Sequence, residues 1–223
     1  MYFIGVDLGW KDKKTTGICV LDENLKIRSS RVVLGSKLLA TLKPFLSKTS
    51  TVAVDAPLTL GKGKGKLRLF EKFLLTKPFR RWKANPLPPA LIYKLSSHGQ
   101  EVVGKLEKNG FKLNQTLIEV FPTLLSRVMK KPARDASHSE AGGPACVKFI
   151  RRPTDRHKLA AFYAAYLAYL HFKGETFWIG WRDGKLFLPI YYYWKKAYRE
   201  AFTKIWRHKN RLRYRLLLSN LKI

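Results

Sequence analysis

Acidic residues are few in this chain beside its basic ones. It carries 15 Asp and Glu against 44 Lys and Arg in 223 residues, a formal charge of +29. An excess that large repels itself in a compact chain and calls for a polyanionic partner. A thermophile-like charge bias fits less well, because that bias raises Glu together with Lys. Nucleic acid is the expected partner, with an anionic membrane surface as the weaker alternative. Cysteine is scarce too: Cys19 and Cys146 form no metal-ligand or redox spacing, and Cys19, inside an apolar run, reads as a small core residue. Long apolar runs are missing. The longest uncharged stretch, 159–172, falls short of the ~20 residues that cross a bilayer. The chain opens without a charged leader and Asp7 interrupts its first apolar run, so the expectation is a cytoplasmic protein with no membrane association. No internal repeat is evident.

What is present is organised around the first ten residues. Tyr2 to Val6 reads as a buried strand with Asp7 at its end, flanked by Gly5 and Gly9. The same pattern recurs in Thr51-Val-Ala-Val-Asp55 and in Thr116-Leu-Ile-Glu119. A buried isolated carboxylate is costly unless it is paired or holds a metal. Three acid-terminated strands therefore suggest a shared cation, most simply a divalent metal. Residues 15–21 and 25–34 read as further strands, so 2–34 form an antiparallel meander turned at 22–24. A helix capped by Ser36 runs to about Lys48. Helices are also expected over 67–75, over 90–109 and over 154–172, the last capped by Thr154 and kept slim by Ala160, Ala161, Ala164, Ala165 and Ala168. Thr176 to Ile190 reads as a hairpin whose Asp183 is a turn former. The order is that of an α/β protein, and 46% apolar residues suffice for a sizeable core.

Cations gather at three places. Gly61-Lys-Gly-Lys-Gly-Lys66 is a basic glycine-rich loop whose Lys62, Lys64 and Lys66 suit phosphate, although it lacks the spacing and Ser/Thr of a nucleotide-binding P-loop. Its bland alternative is a solvated loop. Residues 77–83 interleave Arg80, Arg81 and Trp82 in a pattern suited to a nucleic-acid backbone with stacking. From 191 onward a basic, aromatic helix carries Lys196, Arg199, Arg207 and Arg211, while Trp194, Tyr198, Phe202, Ile205 and Trp206 make a stripe that packs on the domain. Residues 130–155 read as a long loop; His138 and Glu140 within it are expected to be solvated.

Gly5-Val-Asp7-Leu-Gly9, Val54-Asp55-Ala-Pro-Leu58 and Ile118-Glu119-Val-Phe-Pro122, in that order, resemble the domain-of-unknown-function family numbered 429, regarded as predicted nucleases with a ribonuclease H-like fold. The resemblance continues through Arg68-Leu-Phe-Glu71, the helix from His157 to Ala168 and the hairpin ending at Pro189. It covers roughly 2–190, which implies a ribonuclease H-like domain over 1–190 and a basic helical extension over 191–223. The resemblance also implies that Asp7, Asp55 and Glu119 bind Mg²⁺ or Mn²⁺ and cut phosphodiester bonds, with Arg68 and Glu71 as an ion pair. The chain departs from the family at one point: the acid expected three residues after His157 is replaced by Ala160. Asp155 and His157 at the start of that helix join the catalytic candidates, His157 as proton shuttle or phosphate donor; Asp12 is a weaker one, better read as a loop acid. Two functions follow: a metal-dependent nuclease, or a nucleic-acid-binding protein with reduced or lost catalysis. An actin-like ATPase is disfavoured, because the chain is short for it and has no adenosine-binding glycine motif.

Overall fold

A computed structural model describes residues 1–61, 67–87, 89–130 and 153–208, with the backbone of 217–218. The loop cations Lys62, Lys64 and Lys66, with Arg211, Cys146, His138 and Glu140, lie outside the described residues.

The protein is mixed α/β. Strands β1 (Tyr2–Asp7), β2 (Thr16–Asp22) and β3 (Ile27–Val33) form the expected antiparallel meander. A short 3₁₀ turn, Gly35–Lys37, leads into α1 (Leu38–Leu46), and β4 (Thr49–Asp55) returns parallel to β1. Three helices follow: α2 (Leu69–Leu74), α3 (Lys77–Arg81) and α4 (Tyr93–Glu107). Strand β5 (Leu117–Glu119) then pairs parallel to β4, giving a five-stranded mixed sheet in the order β3-β2-β1-β4-β5. Helix α5 (Pro122–Val128) and the long α6 (Arg156–Phe172) precede the hairpin β6 (Thr176–Trp181) and β7 (Gly184–Pro189). Helix α7 (Lys196–Ile205) follows, and β8 (Leu217–Leu218) pairs with β6 to complete a second, three-stranded sheet.

Helices cover both faces of the larger sheet. On one face α1 and α4 bury Leu38, Leu42, Val102 and Leu106 against Ile4, Val6, Ile18, Val52 and Val54. On the other, α6 buries its alanines together with Phe3, Cys19, Ala53 and Ile118. The alternation of 4 and 6 against 3 and 5 is the pleat of a strand buried on both sides. The small residues of α6 matter for distance. A Cβ added to Gly5 would collide with the backbone of Ala161 and Ala165, and one on Gly17 with that of His157. Gly5→Val is therefore expected to destabilise the fold by about 3 kcal/mol, because backbone atoms must move rather than a flexible side chain. Gly104→Ala, where a Cβ meets nothing within 4 Å, is the control; urea unfolding of both reads the difference.

Several local expectations shift. Ser36 does not cap α1: 35–37 turn as 3₁₀, and Lys37 occupies the cap position with no side-chain hydrogen bond. Asp155, not Thr154, caps α6, accepting from the amides of His157 and Lys158. Helix α4 begins at Tyr93 rather than Ala90, since 89–92 form a turn closed by the Ile92 amide on the Pro89 carbonyl. The aromatic stripe near the C-terminus does pack inward. Trp194, Phe202 and Ile205 are buried in the same core as α6, with Tyr198 and Trp206 packed against it, so α7 is built onto the main body. No helix among the described residues is long and apolar enough to cross a membrane.

Candidate active site

The parallel pairing of β1 with β4 places Asp7 opposite Asp55, each the last residue of its strand. Neighbouring strands lie about 4.8 Å apart, so the two carboxylates leave the sheet side by side. Asp7 shares the parity of Phe3 and Gly5, whose side faces α6, and there it meets His157: Nδ1 lies 2.7 Å from Asp7 Oδ2. Burial raises the Asp7 pKa, against the pull of His157 and Arg156. The neighbouring loop is held in place from two sides. The Gly9 amide donates to Thr16 Oγ1, and the buried ring of His98 approaches the Gly9 carbonyl through Nδ1 at 3.1 Å.

The Asp55 carboxylate differs from that of Asp7 in having no hydrogen bond or ion pair among the described residues. The residue keeps some exposure, yet enough protein surrounds its carboxylate that burial, then the charges of Asp7 and Glu119, hold its pKa well above the usual carboxylate range. Protonation is one way to relieve that charge; a cation is the other.

Glu119 is placed differently. The register sets it opposite Val54 rather than Asp55, so it leaves its strand on the other parity. Its carboxylate is gripped by Arg68, with Nη1 at 2.5 Å from Oε2 and Nη2 at 2.6 Å from Oε1, and accepts from the Leu58 amide at 2.9 Å. Arg68 Nη2 also holds Glu71 Oε1 at 2.5 Å. Arg68 is 1% exposed, Glu71 2% and Glu119 6%. The expected Arg68–Glu71 pair is therefore part of a buried triad that includes Glu119, and the arginine pKa is driven up by its two carboxylates despite burial. Burial pushes Glu119 up while Arg68 opposes it. Around the triad, Arg68 Nη1 donates to Thr59 Oγ1, which donates to the Asp183 carbonyl, and the Asp183 carboxylate accepts from the Leu69 amide. Asp183 thus joins its hairpin turn to the start of α2, beyond a turn former's role.

The other candidates divide clearly. Asp155 is exposed and committed to the helix cap, but its charge still reaches Asp7. Ala160 is partly exposed, one turn beyond His157. Asp12 is exposed on its loop. Among the phosphate-binding candidates, Arg81, Lys196, Arg199 and Arg207 are exposed, and Arg80 is exposed with its Nε on the Leu75 carbonyl. Trp82 is half-buried, its ring 5.0 Å from both Phe79 and Tyr198. Those contacts bring α3 beside α7, so the two helices' cations share one region of the surface.

Asp7, Asp55, Arg68, Glu71 and Glu119 line one cavity of about 280 Å³, otherwise walled mostly by apolar side chains. A divalent cation fits its Asp7–Asp55 side, where one carboxylate has no partner among the described residues and a second stands beside it. Mg²⁺ keeps several waters and needs few protein carboxylates. Glu119 does not fit as a third ligand while Arg68 holds both its oxygens, and no group of three or more His, Cys, Asp or Glu residues suited to a metal occurs among the described residues. The Arg68–Glu119 partnership is what sequence reasoning missed. Its signal was parity: β5 is too short, and its pairing too far from β1 in the chain, for register to be read without coordinates. Comparison of the chain with family models, curated proteins and solved structures found no match. The family resemblance rests on its motif residues.

Proposed function

We propose that this chain is a metal-dependent nuclease of ribonuclease H-like fold, working from a carboxylate pair, Asp7 and Asp55, rather than from a triad. The observation that carries the reading is the Asp55 carboxylate, without a partner among the described residues, beside Asp7 at the ends of adjacent parallel strands. A mixed sheet with helices on both faces and acids at the ends of its central strands supports the fold assignment. Asp7 and Asp55 would hold Mg²⁺ or Mn²⁺, which when bound supplies an activated water and charge stabilisation for phosphodiester hydrolysis. His157 orients the Asp7 carboxylate through its Nδ1 and can hold a proton beside it. The exposed cations of α3 and α7 hold the sugar–phosphate backbone.

A second reading, nucleic-acid binding with reduced catalysis, draws on two specific observations: Ala160 stands where the family resemblance expects an acid, and Glu119 is engaged by Arg68. One experiment separates them. Purified protein is incubated with labelled single-stranded, duplex and branched DNA and RNA in Mn²⁺, alongside Asp7→Asn and His157→Asn. The nuclease reading expects metal-dependent cleavage, lowered at least about a hundredfold by Asp7→Asn and about tenfold or more by His157→Asn. Binding with no cleavage by any form would overturn it in favour of the second. In either case affinity for duplex DNA should fall with salt, by about 0.9 in log–log slope per phosphate neutralised; a flat response would exclude both.

A further inference from the structure

The cavity beside the acid pair has an unusual wall. Phe70, Leu74, Ile92, Leu95 and Phe121 face a space whose other side holds Asp7 and Asp55. Its rim is apolar and open. Leu87 lines the cavity yet is 60% exposed, and Leu91 and Tyr93, on either side of the lining residue Ile92, are 73% and 65% exposed. Large side chains left that bare in a chain of +29 form a patch that calls for a partner. The flanking charges indicate which kind. Lys83 and Lys94 are exposed just before and just after this segment, and Arg80 and Arg81 lie on α3 only a few residues upstream.

We infer that this cavity takes a single unpaired nucleotide, its base against the apolar wall and its phosphate toward the Asp7–Asp55 pair, so that the substrate is a single strand or a frayed or overhanging end. A cavity of about 280 Å³ suits one base or sugar, and a paired duplex cannot place a base inside it without extruding that base. Base faces bind apolar and aromatic walls with little sequence preference, and Asn85, also on the wall, supplies an amide that can meet a base edge. The α3–α7 cations supply the backbone track leading to the rim. A protein segment docking on the same leucines is the competing occupant; the concentration of base around the rim favours the nucleic acid. The inference rests on the proposed site for its orientation, since the phosphate must reach the acid pair.

The test uses the full-length chain and oligonucleotides of equal length at one salt concentration: a single strand, a blunt duplex and a duplex with an overhang, each carrying 2-aminopurine near one end. Anisotropy reads affinity, and 2-aminopurine emission reads unstacking. Single-stranded and overhanging forms should bind about tenfold or more tighter than the blunt duplex, with a change in emission. The double variant Leu87→Ser/Leu91→Ser, which removes the apolar rim without changing charge, should bring that preference to within about twofold and leave duplex affinity and its salt slope unchanged. Both residues are exposed, so the variant is expected to fold, and circular dichroism verifies that it does. Equal affinity for single strand and blunt duplex, or a preference that survives the double variant, would overturn the inference. Strand preference without Mn²⁺-dependent cleavage removes the nuclease reading and leaves this inference standing; cleavage of blunt duplex and single strand alike does the reverse.

Discussion

Replacing Asp55 by asparagine is expected to abolish metal-dependent cleavage and at the same time to stabilise the metal-free protein. The two effects have one origin. The Asp55 carboxylate is enclosed by protein groups with no partner among the described residues, beside the charges of Asp7 and Glu119. Its folded-state pKa is raised above its unfolded value, so the folded state binds the extra proton. Stability then falls as pH rises from the ordinary aspartate range through the raised value, and at neutral pH the ionised group works against the fold. Asparagine removes that pH-dependent loss, a gain on the order of 1 kcal/mol, or about 2–4 °C in Tm for a chain of this size. Mn²⁺ should raise the Tm of the native protein by mass action and leave Asp55→Asn nearly unmoved. Thermal melts at pH 5 and pH 7, with and without Mn²⁺, read all four terms. A variant less stable than the native protein at neutral pH would mean that Asp55 has a partner supporting the fold, and the cation site would lose its main support.

The largest loss of stability is expected at Arg68. Its guanidinium is enclosed between Glu71 and Glu119 and joins α2, β5 and the β6–β7 turn through Thr59. Arg68→Met keeps much of the volume but leaves two buried carboxylates without a cation, a cost of about 3–5 kcal/mol. The pH dependence identifies the cause. With its arginine gone, burial raises the Glu119 pKa against the Leu58 amide alone, so the variant should recover stability as pH falls through that raised value toward the ordinary glutamate range. Adding Glu71→Gln and Glu119→Gln should restore part of the loss at neutral pH, because a neutral triad leaves no stranded charge. Urea unfolding of the single and triple variants at pH 5 and pH 7.5 makes the comparison. Equal destabilisation at both pH values would assign the loss to packing against Phe70, whose ring lies 4.5 Å from the guanidinium carbon, rather than to charge.

Local pattern carried much of the architecture. The apolar run to Val6, the strand–turn–strand pattern of 15–34 and the alanine-rich helix over 154–172 were all readable, because a strand's period of two and a helix's period of 3.6 are written in adjacent residues. The acid at the end of β1 and that at the end of β4 were likewise visible, since each terminates its own hydrophobic run. Elements whose limits depend on non-local partners were less legible. Strand β5 is three residues long because its pairing with β4 spans only 52–54 and Pro122 opens the next helix. Composition alone carried the charge of +29, from which an anionic partner is expected.

Tertiary structure decided how the three acids divide. One-dimensional order made Asp7, Asp55 and Glu119 equivalent; the pairing register made the first two neighbours and set the third on the other parity, within reach of an arginine 51 positions earlier. No local pattern encodes that distinction, because a shift of one residue in a strand's register exchanges its faces while the sequence stays the same. The same holds for α3 beside α7 and for the cavity between the acid pair and the leucine rim, each assembled from segments far apart in the chain.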